Sequence, residues 1–179
     1  MKTARLFQLA SLLATTLALS ACGFHLRENA NLPAQMQRMH ITVNGGGELE
    51  RRLTRALESA DVTIVDATGP GIAELRVPVA RFSTETLSAG GYVRITEYAV
   101  RYHVEFHVID ADGHSLLSRQ RLDMSREFSS DASDTVGNES QVQELQRSLN
   151  DDMVQAMLFR LQAAGKHQLT EPTSAARTH

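Results

Sequence analysis

The residue with the clearest chemistry in this 179-residue chain is its only cysteine, Cys22. It closes the segment Leu19-Ser20-Ala21-Cys22, which ends an apolar run preceded by the basic residues Lys2 and Arg5. A charged start, a short apolar run and small residues before a cleavage point are typical of an export signal, and the run is too short for a transmembrane helix. The sequence therefore predicts that residues 1–21 are a signal peptide.

The same segment resembles the end of a bacterial lipoprotein signal, which implies cleavage before Cys22 and a covalent lipid on its thiol. An ordinary secretory signal with a chance cysteine is the alternative. Since lipidation would consume the only thiol, the domain can form no internal disulfide and must be stabilised by burial. Acyl chains contribute about 0.8 kcal/mol per buried methylene, so several of them would tether the protein to a membrane that it does not cross.

Other residues with reactive or metal-binding side chains do not form a known motif. His103 and His107 share a strand face, but they lie roughly 13 Å apart at 3.3 Å per residue, too far to share one ion. Asp110 and Asp112 suggest a calcium loop, but the remaining ligands are missing, so a hairpin turn is predicted there. The other histidines are scattered without ligand spacing: His25, His40, His114, His167 and His179.

Catalytic and nucleotide-binding motifs are also missing from the sequence. The glycines at 45–47 are not followed by the GK[ST] of a phosphate-binding loop, and no G-x-S-x-G nucleophile motif occurs. A net charge of −3 gives no bulk attraction to nucleic acid. We therefore predict no enzyme activity, no metal site, no cofactor other than the lipid on Cys22, and no nucleic-acid partner.

Basic residues are the remaining candidates for ligand contact. The segment Gly90-Gly91-Tyr92-Val93-Arg94 is predicted at the tip of a hairpin, with Arg81 near it across the hairpin. A guanidinium group can pair bidentately with phosphate. Polar residues alternate along one side of the same hairpin, and they form either an ordinary solvated face or a partner surface: Arg101, His103, Glu105 and His107.

The spacing of apolar residues predicts the elements that carry these side chains. Helical periodicity predicts one helix over 48–60 and a longer one that begins at Asn138 and ends near Ala164, with Gly165 as its C-cap. Alternation predicts strands at 39–43, from 72 towards the turn at 88–91, over 92–110 and over 116–128, whereas 61–65 is a short strand or the helix exit. Pro78 predicts an edge or a bulge because it cannot donate a ladder hydrogen bond.

These elements predict a mixed α/β (α+β) fold. It is a two-layer sandwich, with a mixed four-stranded sheet and two helices packed on one face of the sheet. The strand order is not predicted. The domain organisation is a signal peptide at 1–21, a lipidated N-terminus and lead-in at 22–38, the sandwich domain at 39–165, and a disordered C-terminal tail at 166–179.

The start of the mature chain, Cys22-Gly23-Phe24-His25-Leu26-Arg27, resembles that of the LptE (RlpB) family, the lipopolysaccharide-assembly lipoproteins of Gram-negative bacteria. The order of elements resembles the family too, including a long central meander with Thr96-Glu97-Tyr98. The resemblance implies an LptE-like sandwich without enzyme activity that plugs the large β-barrel LptD in a one-to-one complex, supports its assembly and helps deliver lipopolysaccharide to the outer leaflet.

The resemblance also implies the location and the ligand contacts. The protein would be lipid-anchored in the outer membrane, on the periplasmic side and inside the barrel lumen, and Gly23 rather than Asp agrees with sorting to that membrane. Arg94 and Arg81 are the candidate lipopolysaccharide contacts, although the loop at 131–136 departs from the family because it lacks Lys and Arg. The alternative is a periplasm-facing lipoprotein that binds a small ligand or serves another envelope machine.

Overall fold

The computed structural model describes residues 32–89, 95–131 and 135–168. A 3₁₀ turn at Ala34–Met36 precedes the regular elements. In chain order these are β1 (Arg38–Val43), α1 (Gly47–Glu58), β2 (Thr63–Ile64), β3 (Ala73–Ala89), β4 (Ile95–Ile109), β5 (Ser115–Asp131) and α2 (Thr135–Gln168). The Lys2–Arg5 start, Cys22, Arg94 and the tail from residue 169 lie outside the described residues.

One mixed sheet carries the strands in the order β2-β1-β3-β4-β5. β1 runs parallel to both β2 and β3, and the three long strands β3, β4 and β5 form an antiparallel meander. The predicted α+β sandwich with a mixed sheet is confirmed. The sheet has five strands rather than four, because Thr63–Ile64 pairs with Arg38 and Met39 as a short edge strand. Two residues are too few to show alternation in the sequence.

Both helices cover the same sheet face, because each carries one apolar stripe that is buried only there. α1 lies against β1 and β2, α2 lies against β4 and β5, and the two helices contact each other. Burial of these stripes against the sheet supplies the main driving force for folding. The fully buried side chains include Leu49, Leu53 and Leu57 on α1, Leu149, Met153, Met157 and Leu161 on α2, and Val100, Val104, Phe106 and Val108 on β4.

A bulge at Pro78 exchanges the two faces of β3. Before it, Leu75 and Val77 point into the core, and the pairing with β1 ends at Val77. The register with β4 shifts between Arg76 and Val79, so that Ala80 faces the core after it. The predicted bulge is confirmed, and beyond it Val79 pairs with Glu105 on the outer face, whereas unbroken alternation from Leu75 and Val77 would have turned Val79 inward. A proline lacks the N–H that regular pairing needs, and an extra residue in the strand reverses the side-chain alternation.

The long helix α2 continues past the predicted end. Gly165 is predicted as its C-cap, yet the backbone remains helical to Gln168, so residues 166–168 belong to the helix rather than to the predicted tail. A glycine inside a helix costs only about 1 kcal/mol relative to alanine. The buried Leu161 and the partly buried Ala164 hold this last stretch against the core. The helix also starts at Thr135, before the predicted N-cap Asn138.

Candidate functional surfaces

The outer sheet face, turned away from the helices, is centred on Glu105 of β4. Glu105 pairs with Val79 of β3 on one side and with Arg121 of β5 on the other, and only 9% of it is exposed. Arg121 donates to its Oε1 from Nε at 3.2 Å and from Nη2 at 2.8 Å, and Arg119 donates to Oε2 at 3.4 Å. The hydrogen bond from Arg121 is the main reason that the pKa of Glu105 lies below its usual value.

His103 extends this network along the same face. Its Nδ1 lies 2.6 Å from Oδ1 of Asp123, and its Nε2 lies 3.6 Å from Oε1 of Glu105. We name the set Asp123, His103, Glu105, Arg121 and Arg119 the outer charge network. Its acidic and basic groups already pair with one another, so Glu105 stays ionised and is not poised as a catalytic base. The sequence predicts this face as polar but not that a carboxylate is buried in it.

His107, also predicted on the outer face, has a different environment. Its Nδ1 is buried and has no hydrogen-bond partner among the described residues. Burial, followed by the positive charges of Arg119 and Arg76, lowers the pKa of His107. The imidazole is therefore neutral at pH 7. The neighbouring carboxylate of Glu74 accepts a hydrogen bond from Arg76 at 2.6 Å, and this bond lowers the pKa of Glu74.

The predicted hairpin turn at Asp110 and Asp112 is confirmed, and the structure adds His114 to it. Oδ1 of Asp110 accepts the backbone N–H groups of Asp112 at 2.9 Å and of His114 at 2.7 Å, and Gly113 has a φ of +85°. Burial would raise the pKa of Asp110, but these bonds and the His114 imidazole lower it. The three side chains place ligand atoms within 4.8 Å of one another. They lie at the surface, and the Asp110 oxygens already serve the turn.

Arg81, predicted beside the hairpin tip, lies instead in the middle of β3. It pairs with His103, whereas the last described pair towards the tip is Ala89 with Thr96. Ala89 lies eight positions after Arg81, which is roughly 26 Å along a strand. The predicted position is therefore wrong. The proposed roles of Arg81 and of Arg94 in lipopolysaccharide contact stay predictions.

An open cavity of about 680 Å³ adjoins this part of β3. It lies where the pairing between β1 and β3 ends, at Val77, so that β3 beyond that point has no β1 strand beside it. We name it the β3 cavity. It is lined by Gly45–Leu49 at the start of α1, Ala80, Arg81 and Phe82 of β3, Tyr102 of β4, and Gln143, Gln146, Arg147 and Asn150 of α2.

Aromatic rings form one wall of the β3 cavity. Phe82 stacks on Tyr102 with the ring centroids 3.8 Å apart and the planes 10° from parallel. The two residues are directly opposite each other in the β3–β4 register, on the core face. Burial raises the pKa of Tyr102 to about 12, so its hydroxyl stays protonated. No sequence signal marks the cavity, because it depends on where β1 and α1 end relative to β3.

The described residues thus define a two-layer α+β domain with an ion-paired outer sheet face and an open cavity beside its central strand. No helix among them is long and apolar enough to cross a membrane. The model of the LptE lipopolysaccharide-assembly family matches residues 36–161, well over half of the chain. The chain therefore belongs to the LptE family, as the resemblance of its N-terminus predicts.

Curated relatives are similar over part of their length. The chain is 28% identical to the LPS-assembly lipoprotein LptE of Photorhabdus laumondii over 110 residues, which cover 61% of this chain and 60% of the relative. It is 35% identical to the LPS-assembly lipoprotein LptE of Pectobacterium atrosepticum over 107 residues, covering 59% and 58% of the two chains. The matches span about three fifths of these relatives.

Solved structures share the fold. Lipoprotein B from Nitrosomonas europaea has a TM-score of 0.66 at 22% identity, covering 82% of this chain and 96% of its own. The rare lipoprotein B from Shewanella oneidensis has a TM-score of 0.62 at 20% identity, covering 75% and 99%. A minor lipoprotein from Acinetobacter baumannii has a TM-score of 0.61 at 21% identity, covering 72% and 92%. These likenesses show the fold alone.

Proposed function

We propose that this protein is a lipid-anchored component of lipopolysaccharide assembly in the outer membrane. In this proposal it docks as a plug into an LptD-like β-barrel in a one-to-one complex, supports assembly of the barrel, and assists delivery of lipopolysaccharide to the outer leaflet. The observation that carries the proposal is the family match over residues 36–161, which spans the described sandwich from the 3₁₀ turn to Leu161 of α2.

The proposed role is docking rather than a reaction. The outer charge network already pairs Glu105 with two arginines and Asp123 with His103, so the buried Glu105 has no free proton-transfer role. A polar outer surface on a dry core suits the wet interior of a barrel, where charged side chains remain solvated. The central test is extraction of the native protein with a mild detergent, followed by affinity purification through this chain.

A large barrel protein in one-to-one ratio is the expected companion in that purification. The control mixes membranes that contain the tagged chain with membranes that contain the untagged chain before the detergent is added. A complex that was assembled in the membrane does not exchange its chains afterwards, so the tagged chain should bring down only the barrel protein from its own membranes. A chain that purifies alone would contradict the proposal and would favour the alternative, a lipoprotein that binds a small ligand. Depletion of this protein should also lower the amount of assembled barrel in the outer membrane.

The anchor is tested separately at Cys22. We expect palmitate labelling of the wild-type chain and none of a Cys22→Ala variant, because the variant lacks the thiol that carries the lipid. A Cys22→Ser variant is the closer control, since a hydroxyl replaces the thiol at nearly the same size. Labelling that persists in either variant would place the lipid elsewhere and remove the anchor from the proposal.

The lipopolysaccharide contacts are tested at Arg94 and Arg81. Loss of the guanidinium in Arg94→Ala should weaken binding of purified lipopolysaccharide, and Arg81→Ala should do so less because Arg81 lies in mid-strand. Arg126→Ala on β5 is the control, since it also removes one exposed guanidinium. Unchanged binding in Arg94→Ala would remove that assignment while leaving the barrel complex in place.

A further inference from the structure

The strand β5 is an open edge of the sheet. It is the last strand in the sheet order, and β4 is its only strand neighbour among the described residues. From Gln120 to Asp131 it pairs with β4 without a register shift, and it contains neither proline nor glycine. Natural edges are usually shortened, bent or covered, because a long regular edge offers unpaired backbone N–H and C=O groups to another strand. The edge strand at the other side, β2, has only two residues.

An exposed aromatic side chain lies on the same side of the molecule as this edge. Phe159 of α2 is 69% exposed. Seven positions earlier on the helix, Asp152 accepts a hydrogen bond from Arg126 of β5 at 2.5 Å, so this face of α2 is turned towards β5. Residues seven apart share a helix face, so Phe159 also lies on the β5 side. A single exposed apolar residue is ordinary, but this one stands beside an open edge.

Phe159 also lies level with the middle of β5. Only three residues join the end of β5 to the start of α2, so the two elements run in opposite directions. From Asp152 to Phe159 the helix rises about 10 Å at 1.5 Å per residue. About three strand residues span the same length. Counted back along β5 from Arg126, Phe159 is therefore level with Asp123 and Met124.

The charges along β5 decide how a second copy of this strand can pair with it. In an antiparallel pair with two-fold symmetry, the residue on the axis lies opposite its own copy. Like charges directly opposite each other are destabilising. An axis at Asp123 sets that carboxylate against its own copy, and an axis at Ser125 sets Asp123 against Glu127. Both of these registers are therefore unfavourable.

An axis at Met124 avoids these repulsions. The regular part of β5, residues 120–128, then pairs with itself. An axis at Leu122 also keeps like charges apart, but it pairs this part with residues before Gln120, where the ladder with β4 is irregular. The axis at Met124 is also level with Phe159, so the rings of the two copies meet beside it.

The same register supplies a partner for an unpaired carboxylate. It places Glu127 of each copy directly opposite Arg121 of the other, on the outer face. Glu127 is exposed and has no ion pair within the described part of the chain. Arg121 binds Glu105 through Nε and Nη2, which leaves its Nη1 for a second carboxylate. Opposite charges at such cross-strand positions stabilise strand pairing.

We propose that this chain forms a two-fold dimer through β5, with Met124 on the axis and the Phe159 side chains of the two copies in contact. The two sheets become one continuous sheet, and the helices of both copies lie on one side of it. Backbone hydrogen bonds supply the affinity, and the charges of β5 set the register. The one-to-one barrel complex holds a single copy, so the dimer is a form of the chain outside that complex and does not depend on the proposed function.

Sedimentation of the full chain in mild detergent, purified free of barrel, tests the dimer. We expect a concentration-dependent monomer–dimer equilibrium. Phe159→Asp should raise its Kd at least tenfold, because two carboxylates would then meet at the axis. The substitution leaves the fold of the single chain intact, since Phe159 is exposed there. A wild-type chain that stays monomeric up to about 100 μM would overturn the proposal.

Leu87→Asp is the matched control for Phe159→Asp. Leu87 is 45% exposed and lies on β3, so the same kind of change is made away from β5. Its Kd should change less than threefold. A micelle that holds two chains by chance would hold both variants equally, so equal dimerisation of Phe159→Asp and Leu87→Asp would overturn the proposal.

Variants at Glu127 test the register through its charges. Glu127→Arg places a guanidinium opposite Arg121 of the other copy and should raise the Kd at least tenfold. Glu127→Gln only removes the ion pair and should raise it about threefold, since exposed pairs contribute little. Equal effects of the two variants would contradict the pairing of Glu127 with Arg121 and overturn the register.

A single added cysteine tests which residue lies on the axis. Directly opposite residues of an antiparallel pair have Cα atoms about 4.5–5.5 Å apart, within the range that a disulfide spans. Mild oxidation should therefore join two copies of Met124→Cys. Ser129→Cys is the control, because position 129 lies ten positions, roughly 33 Å, from its own copy in this register. The wild-type chain reports any disulfide through Cys22. Joining of Ser129→Cys, or none in a dimeric Met124→Cys, would overturn the register.

The dimer and the proposed function fail in different experiments. A chain that dimerises through β5 but purifies without a barrel would leave the dimer standing and contradict the proposed function. A chain that purifies with a barrel but sediments as a monomer when freed from it would overturn the dimer alone.

Discussion

Both faces of β4 contain side chains that are closed to water, but by different chemistry. On the inner face Tyr102, Val104 and Phe106 are at most 2% exposed and pack against the helices. On the outer face Glu105 is 9% exposed, although no helix covers it, because Arg119 and Arg121 fold over its carboxylate. Apolar burial is non-directional and scales with area, whereas an ion-paired face depends on the position of each atom.

The inner face of β4 therefore supplies most of the stability, whereas the outer face presents a fixed pattern of charge. Replacing all members of a buried ion pair or triad by well-packed apolar residues is often neutral or stabilising, so the presence of such a network is weak evidence of stability. A network that contributes little to folding but fixes the charge pattern is well suited to a docking surface.

The largest effect is expected on the inner face, for Phe106→Ala. Phe106 is fully buried, so its truncation loses apolar burial and leaves a cavity, at a cost of about 3–5 kcal/mol in the free energy of unfolding. Phe159→Ala is the matched control, because Phe159 is 69% exposed and its truncation should change stability by less than about 0.5 kcal/mol. Urea denaturation measures both. Similar losses in the two variants would contradict the assigned core.

A smaller effect is expected on the outer face, for Glu105→Gln. The change keeps the shape but leaves Arg121 and Arg119 without a carboxylate, so the denaturation midpoint should fall, by less than in Phe106→Ala. Glu127→Gln on β5 is the control, since Glu127 is an exposed carboxylate on the same sheet face. If Glu105→Gln is as stable as the wild type, the network contributes only to the charge pattern of the surface.

These two faces also differ in how far the sequence predicts them. Alternation over 92–110 predicts which residues of β4 face inward, because period two follows from strand geometry alone. The pairing of Glu105 with Arg121 depends on the β4–β5 register, which the bulges shift and no local pattern fixes. Pro78 predicts a bulge, but not that Val79 then faces outward.

The candidate sites show the same limit. An aspartate in a turn commonly accepts hydrogen bonds from the backbone N–H groups of the residues that follow it. This preference of Asp110 could have predicted that His114 lies beside Asp110 and Asp112. The β3 cavity could not be predicted, because it arises between three elements whose ends are set by packing. The predicted lipid on Cys22 depends on a local motif, and it remains a prediction.

The pH dependence of stability separates the two faces further. The pKa of Glu105 is lowered in the folded state, so its contribution is fully present above the pKa of an unfolded glutamate, about 4.3, and is lost as the pH falls through the lower folded value. The difference in stability between wild type and Glu105→Gln should thus be constant near neutral pH and should shrink in acid. The loss caused by Phe106→Ala should not follow this profile. Urea midpoints measured from neutral pH to pH 3 test both.

The smallest effects distinguish the two arginines of the outer charge network. Arg121 makes bonds of 2.8 and 3.2 Å to Glu105, whereas Arg119 makes one of 3.4 Å, so Arg121→Gln should raise the pKa of Glu105 more than Arg119→Gln does. Arg119 also lowers the pKa of His107, so Arg119→Gln alone should raise the pKa of that imidazole.

Side-chain NMR titration of Glu105 and His107 in both variants measures this crossed pattern. Because each arginine acts as the control for the other, a general loosening of the fold would move both pKa values in both variants. The crossed result would instead show that the charges on the outer face act pairwise through fixed geometry. A surface that docks onto a polar partner needs that property, because complementary charges improve recognition only when their positions are held.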